Sequence, residues 1–444
     1  MKQEASVSKW RRVRLAVAAS TLAAVPAIGI ITTSYGQVSA PIKIALPVFL
    51  SGPAVGSFGE PSRNAAEVVI EAINNGTLPA PYNAKGLGGS PIEAKIVDEA
   101  GSAAVVVTEF RNLVQRDGMD VIVGYVSSAS CLAVAPIAEQ LKVLTVIYAC
   151  GTSRLFEDNS FEYVFRVSPH TSSDNVAAAR YVLRKFPNLE SYSGINQNYS
   201  WGQDAWADFS GAMKALSPST KIQTALFPKL FSGEYGAEIT ALLVAGSKVV
   251  HSSFWDGDLE SFVAQSSARE LPKISTMVYT VGEQIIYRDA PRIPDGTLIG
   301  SRGPNGLLAP DNPLNNWFAQ AYWKRFSSRP NFPAYHMYQS LLGLKAAWDA
   351  AAKEKGGARP SPEEVAAKLK HLEFETASGK IKMALGKGHQ GIEDMPFGTY
   401  KYNREKDRPE LLDVVQYAAE CVNPPDGSAA TVWIGQGMPG AKCQ

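Results

Sequence analysis

Residues 120–130 combine a short apolar strand with a turn rich in hydroxyl groups, a pattern that can hold an anion. Gly124 permits a tight turn, and a helix predicted to begin near Ala129 has first N–H groups without partners inside the helix. Those donors lie beside the hydroxyls of Ser127 and Ser128, so together they favour a negatively charged group. We predict that this turn contacts an anion.

A second turn of the same kind follows the next predicted strand, residues 144–147. It reads Tyr-Ala-Cys-Gly-Thr-Ser and carries Thr152 to the same edge of the predicted sheet. Either turn alone is typical of an ordinary strand-to-helix connection, because Ser and Thr are common helix caps. Two such turns on neighbouring strands favour a binding site.

Strand and helix patterns alternate from Ile42 onward, which predicts parallel strands joined by helical crossovers. Ala66, Val69, Ile70 and Ile73 fall on one helix face. The pattern restarts after residues 164–169, with strands predicted near 191–196, 222–227, 248–253 and 273–279 and helices near 174–186, 203–216, 234–245 and 259–270. A capping box, Ser361 with Glu364, begins a later helix.

The chain therefore has an α/β fold of two lobes, each with its own parallel sheet. The first lobe is predicted to contain residues 41–164 plus 303–378, and the second residues 165–302 plus 379–444 with the C-terminal tail. Three crossing strands form the hinge. Ligands of open parallel sheets bind beyond the carboxyl ends of the strands, so we expect a ligand between the lobes.

The N-terminus resembles a secretory signal. Five basic residues precede the apolar run 15–31, small residues follow it, and we predict cleavage near Gly36, so that residues 1–36 are removed. An uncleaved membrane anchor is the alternative. Removal takes away five basic groups and one acid, which leaves a formal charge of about −3. We expect a periplasmic protein without affinity for nucleic acid.

Four cysteines lack the spacing of a metal site, so no metal is predicted. Export favours disulfides instead. Cys131 and Cys150 follow neighbouring predicted strands and form one expected pair. Cys421 and Cys443 form the second, which closes the tail.

Aromatic residues at predicted strand ends are further candidates for ligand contact: Tyr125, Phe254, Trp255 and Tyr279. A place in the core is the equal alternative for each of them. Trp201 is favoured more strongly, because a Trp beside a Gly on a turn is hard to explain by packing. The five histidines are scattered and are interpreted as structural or surface residues, and Asp256 and Asp258 are interpreted as helix caps.

Several of these segments resemble the leucine/isoleucine/valine-binding protein family, the type I solute-binding proteins of ABC importers. The resemblance rests on the run 46–56 followed by Phe58-Gly59, on Gly124-x-x-x-Ser128, on Tyr-Ser-Trp-Gly at 199–202 and on Pro-Ala-Tyr-His-Met-Tyr at 333–338. It implies two Rossmann-like lobes, a monomer without cofactor, and a membrane permease as partner.

The resemblance also implies roles for individual residues. Ser128 and Thr152 would hold the ligand carboxylate, and Cys150 would contribute its carbonyl. Phe58 would cover the ligand from the first lobe. Trp201, with either Phe254 or Trp255, would close over it from the second.

The chain departs from that family at the residue that pairs with a ligand ammonium group. Tyr279 stands where the amino-acid binders carry an acid, and the nearest acid in sequence is Glu283. This predicts a small carboxylate ligand that lacks an α-ammonium group, and an aromatic one is favoured. A ligand sensor for a receptor or regulator is an alternative. A serine hydrolase using Ser128 is another, although no histidine pattern marks a base, so the chain is not predicted to be an enzyme.

Overall fold

The computed structural model describes residues 40–443, and the predicted signal segment 1–36 lies outside them. Two sheets of mainly parallel strands, each flanked by helices, confirm the predicted two-lobe α/β fold. Within residues 40–443 no helix is both long enough and apolar enough to cross a membrane. In the same range, no group of three or more His, Cys, Asp or Glu side chains is placed to hold a metal ion.

The first sheet has eight strands. They are β1 (Ile42–Val48), β2 (Ile92–Asp98), β3 (Val121–Gly124), β4 (Leu144–Ile147), β5 (Val164–Arg166), β11 (Glu373–Thr376), β12 (Gly379–Leu385) and β13 (Gln390–Ile392). Their spatial order is β11-β12-β13-β5-β4-β3-β1-β2. β12 runs antiparallel to both β11 and β13, and the remaining pairs are parallel.

The second sheet has seven strands. They are β6 (Ser191–Ile195), β7 (Lys221–Leu226), β8 (Val249–Ser252), β9 (Thr276–Tyr279), β10 (Leu298–Gly300), β14 (Met395–Asn403) and β15 (Arg408–Tyr417). Their order is β15-β14-β10-β9-β8-β6-β7, with β14 antiparallel to both of its neighbours.

The helices follow the predicted periodicity within a few residues. They are α1 (Glu60–Asn75), α2 (Ala103–Gln115), α3 (Ser128–Leu141), α4 (Arg154–Glu157), α5 (Thr171–Lys185), α6 (Ser200–Leu216), α7 (Gly236–Ala245), α8 (Gly257–Ala268), α9 (Leu271–Ile274), α10 (Pro313–Phe326), α11 (Phe332–Glu354), α12 (Pro362–Leu369), α13 (Ala419–Val422) and α14 (Ala430–Gly435). A π-helical turn, Val55–Gly59, precedes α1. The predicted capping box of α12 is present.

The chain passes between the sheets three times, after β5, after β10 and between β13 and β14. The third crossing differs from the boundary expected at residue 379. β12 and β13 pair within the first sheet because the turn after β11 folds β12 back as a hairpin, and Ile381 and Met383 join the core of that lobe. The tail beyond β15 contains α13 and α14, which pack on α5 and α6.

Candidate functional site

The two predicted turns meet at one edge of the first sheet. β3 and β4 pair in parallel with Gly124 opposite Ile147, so the segments that follow them are neighbours. A disulfide joins Cys131 of α3 to Cys150 of the second turn, as predicted. The predicted pair Cys421 and Cys443 is also bonded.

Ser128 and Thr152 lie in direct contact within this edge. The Ser128 hydroxyl oxygen accepts hydrogen bonds from the N–H groups of Gly151 (3.3 Å) and Thr152 (3.2 Å). A hydroxyl that accepts two hydrogen bonds keeps its own proton to donate. The Thr152 hydroxyl donates to Asp204 of α6, 2.5 Å away across the cleft.

The first turn already holds a carboxylate of the chain itself. Glu99, which follows β2 and is 2% exposed, accepts hydrogen bonds from the N–H groups of Val126 (2.7 Å) and Ser127 (2.9 Å). Burial raises the pKa of Glu99 to about 8, although those N–H groups oppose the shift. The N–H group of Ser127 is therefore occupied by Glu99 and is not available to a ligand, which leaves Ser128 as the first turn's main contributor.

Aromatic rings from both lobes lie at the cleft: Phe58 from the first lobe, and Trp201 and Trp255 from the second. Phe58 and Trp255 make an edge contact with ring centroids 5.1 Å apart, and Trp255 donates from its indole nitrogen to the Tyr199 hydroxyl at 2.9 Å. Trp201 donates to the carbonyl of Ser253 at 2.8 Å. The rings therefore have fixed orientations.

The Trp201 ring lies against the second turn of the first lobe. A Cβ atom at Gly151 would lie 2.1 Å from that ring, so only glycine allows this approach. The contact brings the predicted aromatic residue of the second lobe directly onto the predicted carboxylate site.

Three predicted contacts lie elsewhere. Tyr125 packs behind the first sheet against Phe110, with ring centroids 6.5 Å apart. Phe254 and Tyr279 belong to the core of the second lobe, where both pack on Phe262 of α8. Alternate residues of a strand point to opposite faces, so a position near a strand end does not determine which face the side chain takes.

Arg302 is a cleft residue that the sequence analysis missed. It follows β10 at the second crossing, is 3% exposed, and donates to the carbonyls of Ala149 and Pro169 at 2.6 Å each. Its Nε pairs with the buried carboxylate of Asp174 at 3.1 Å. The guanidinium also stacks over the Trp201 ring, 4.9 Å from its centroid. Arg302 thus places a positive charge beside the candidate site.

The two lobes contact each other through ion pairs and hydrogen bonds at both ends of the cleft. At one end, Arg154 forms two contacts with Asp204, at 3.0 and 3.1 Å. At the other end, the Ser57 hydroxyl donates to Glu260 at 2.8 Å, and the Ser57 N–H donates to Asp256. These contacts join the two lobes at both ends of the cleft.

Two buried acids near the cleft contact the first lobe through backbone N–H groups. Asp256 accepts from Ser57, and Glu283 accepts from Phe332 at 2.7 Å. Burial raises the pKa of Asp256 to about 8 and that of Glu283 well above its ordinary value. The second oxygen of Glu283, Oε1, has no hydrogen-bond partner within residues 40–443.

An outer cavity of about 1040 Å³ opens beside this end of the cleft. It is lined from the first lobe by Ser57 and Asn331 and from the second by Gln284 and the β14–β15 hairpin. Beside this cavity the Asn331 side-chain amide links the lobes by donating to the carbonyls of Ser57 and Gln284, both at 2.9 Å.

Comparison with known proteins agrees with this architecture. A family model described as periplasmic binding protein matches residues 41–407. No curated protein matches the chain. Two solved structures from Rhodopseudomonas palustris, both ABC transporter solute-binding proteins, are similar in fold. One, from strain BisB5 in complex with 3,4-dihydroxybenzoic acid, has a TM-score of 0.73 at 19% identity, over 85% of this chain and 98% of that chain.

The other, in complex with benzoate, has a TM-score of 0.74 at 17% identity, over 88% of this chain and 99% of that chain. A leucine-binding protein from Thermotoga maritima has a TM-score of 0.68 at 16% identity, over 84% and 98% of the two chains. Identities this low establish the fold only. The family model covers most of the chain, so the protein belongs to the periplasmic binding protein family.

Proposed function

We propose that this protein is an exported solute-binding protein that captures a small, aromatic carboxylic acid between its lobes and delivers it to an ABC importer permease. One observation carries the proposal. Ser128 and the N–H of Thr152 lie together at the edge of the first sheet, and the Trp201 ring closes over the same turn from the second lobe.

The electrostatics of the cleft support an anionic ligand. The Ser128 hydroxyl accepts hydrogen bonds from the N–H groups of the second turn and keeps its own proton to donate to the ligand. Buried Arg302, which is ion-paired with Asp174, stacks on Trp201 and places a guanidinium beside the site. Trp201, Phe58 and Trp255 offer faces and edges on which an aromatic ring can pack.

Tyr279 lies in the core and cannot contact the ligand, so it no longer explains why the ligand should lack an ammonium group. Two other residues support that conclusion. Asp256 and Glu283 are the acids nearest the cleft, and both are bonded to backbone N–H groups of the first lobe. A ligand ammonium would have to take one of them from that contact. A buried ammonium left without a carboxylate partner costs several kcal/mol.

The ligands bound in similar solved structures support the same ligand class. The two proteins from Rhodopseudomonas palustris were crystallised with benzoate and with a dihydroxybenzoic acid. The relative from Thermotoga maritima is described as leucine-binding, so an amino acid is the alternative to test. Export and a permease partner fit the family and the basic, apolar N-terminal sequence.

Calorimetric titration tests the proposal. Benzoate and 4-hydroxybenzoate should bind, and leucine, valine and phenylalanine should not. Ser128→Ala should weaken binding about tenfold, since it removes a hydrogen bond to a charged group. Ser127→Ala is the matched control, because its hydroxyl makes no hydrogen bond within residues 40–443. Micromolar binding of an amino acid, abolished by Asp256→Asn or Glu283→Gln, would overturn the ligand class.

A serine hydrolase remains the alternative from another class, and the histidines argue against it. His170, His251 and His336 are buried, and burial lowers the pKa of each to about 3. His170 accepts from Ser172, His251 bonds Asn175, and His336 contacts Arg302. Ester turnover lost in Ser128→Ala, with binding retained, would favour the hydrolase.

A sensor of the same ligand is the other alternative. An uptake assay distinguishes a sensor from a transport protein. Deleting the gene should abolish transport of the bound acid only if a permease is the partner.

A further inference from the structure

A second cavity lies under the C-terminal tail, away from the cleft. This cavity, the tail pocket, has a volume of about 290 Å³ and is roofed by residues 424–429. Its walls include Phe156, Glu157, Arg166, His170, Leu385 and Gln390. None of the ten residues predicted to contact the cleft ligand lines it. The roof also lies beyond residues 41–407, where the family match ends.

Arg166 lines this pocket as a buried cation, and one nitrogen of its guanidinium makes no hydrogen bond within residues 40–443. Only 1% of it is exposed. Its Nε donates to Gln390 at 2.5 Å, and its Nη1 donates to the carbonyls of Cys150 (3.1 Å) and Thr152 (2.7 Å). Within residues 40–443 its Nη2 has no hydrogen-bond partner, and the guanidinium has no ion pair. A buried charge in this state is costly unless an anion joins it.

Two of the carboxylates around the pocket accept hydrogen bonds that hold the tail in place. Glu157 accepts from the N–H of Ala430 at 2.9 Å, and burial raises its pKa. Asp426 accepts from the N–H groups of Lys387 (3.2 Å) and Gly427 (3.0 Å). Asp158 also lines the pocket and is exposed to solvent. Glu157 and Asp426 brace the roof, and none of the three acids forms an ion pair with Arg166 in the described part of the chain.

The remaining walls are partly polar, with Ser153, Ser160 and Lys387 among their residues, and partly apolar. The Phe156 ring lies 5.6 Å from the centre of the Arg166 guanidinium, and Leu385 and Pro424 also line the cavity. The pocket therefore presents two cationic side chains, Arg166 and Lys387, beside an apolar patch. That pairing suits a molecule with a carboxylate at one end and a short hydrocarbon body at the other.

We propose that the tail pocket is a second binding site for a small carboxylate. The carboxylate accepts from Nη2 of Arg166, and the apolar body packs on Phe156 and Leu385. The site is separate from the cleft and does not depend on the function proposed for it.

Ligand-observed saturation-transfer NMR on the mature exported protein tests the site, with acetate, butyrate and benzoate as probes at constant ionic strength. Ser428→Trp adds a large ring at a half-buried roof residue and should abolish binding in the tail pocket. Val432→Trp is the matched control, because it adds the same ring at a residue that is 55% exposed on α14, outside the pocket. Arg166→Gln should lower the affinity about tenfold or more.

Ser428→Trp is the decisive variant, since Arg166 also supports the second turn through its carbonyl contacts. We expect binding to the tail pocket to persist in Ser128→Ala and in Val432→Trp. A saturable signal that Ser428→Trp leaves unchanged would overturn the site. So would the absence of any saturable signal in the Ser128→Ala protein, because all binding would then belong to the cleft.

Discussion

The ion pair between Arg154 and Asp204 joins the two lobes, so its removal should weaken ligand binding by opening the cleft. Asp204 accepts three contacts from the first lobe: two from Arg154, at 3.0 and 3.1 Å, and one from the Thr152 hydroxyl at 2.5 Å. Asp204→Asn keeps the shape and the hydrogen bond from Thr152 but removes the charge.

The expected magnitude follows from burial. The Asp204 side chain is 13% exposed and that of Arg154 is 40% exposed, so solvent screens the pair in part. Burial also raises the pKa of Asp204 more than its contacts lower it, which shows that desolvation offsets part of the attraction. We therefore expect Asp204→Asn to destabilise the closed form relative to the open form by about 1 to 2 kcal/mol. This corresponds to about a 5- to 30-fold rise in Kd.

Calorimetry with the acid that binds the wild-type protein measures this change, and small-angle scattering measures the opening. The Asp204→Asn protein should show a larger radius of gyration without ligand. Asp413→Asn is the control, because its ion pair with Lys185 (2.8 Å) lies within the second lobe and joins α5 to β15. An unchanged Kd in Asp204→Asn, or an equal rise in both variants, would refute the reasoning.

Further predictions concern closure, pH and the disulfide. Gly151→Ala should weaken ligand binding in calorimetry at least about tenfold, because the added methyl group would displace the Trp201 ring. The folded-state pKa of Glu99, about 8, exceeds its ordinary value of 4.5. Its protonated form therefore stabilises the fold fully below about pH 4.5, and this contribution disappears as the pH rises through about 8. Urea titrations should show Glu99→Gln gaining stability relative to wild type over that range. Replacing Cys131 and Cys150 by Ala should lower the free energy of unfolding by about 3 kcal/mol.

Periodicity and turn chemistry were sufficient to predict the lobes and most helix limits. The prediction for α3 was correct to one residue, since Ser127 and Ser128 mark its beginning. The bond between Cys131 and Cys150 was predictable because residues that follow neighbouring parallel strands lie close together. These features depend on local sequence and on sheet topology, and both can be inferred from one amino-acid sequence.

Side-chain direction and distant partners were not predictable. Tyr279 was expected in the cleft, but it ends β9 with its ring on α8, and one residue along a strand reverses the face. Tyr125 adopts a φ of 77°, which no local pattern indicates. Glu99, Asp204 and Arg302 reach the site from other elements, so only the folded chain reveals their roles.

Identifying the ligand that the protein carries from its natural source is the most direct test of the proposed ligand class. Mature protein purified without refolding is denatured, and the released small molecules are identified by mass spectrometry. We expect one dominant carboxylic acid with an aromatic ring and no amino group. The Ser128→Ala protein should lose this acid, and the Ser127→Ala protein should retain it. Release of leucine, valine or another free amino acid as the dominant species would contradict it.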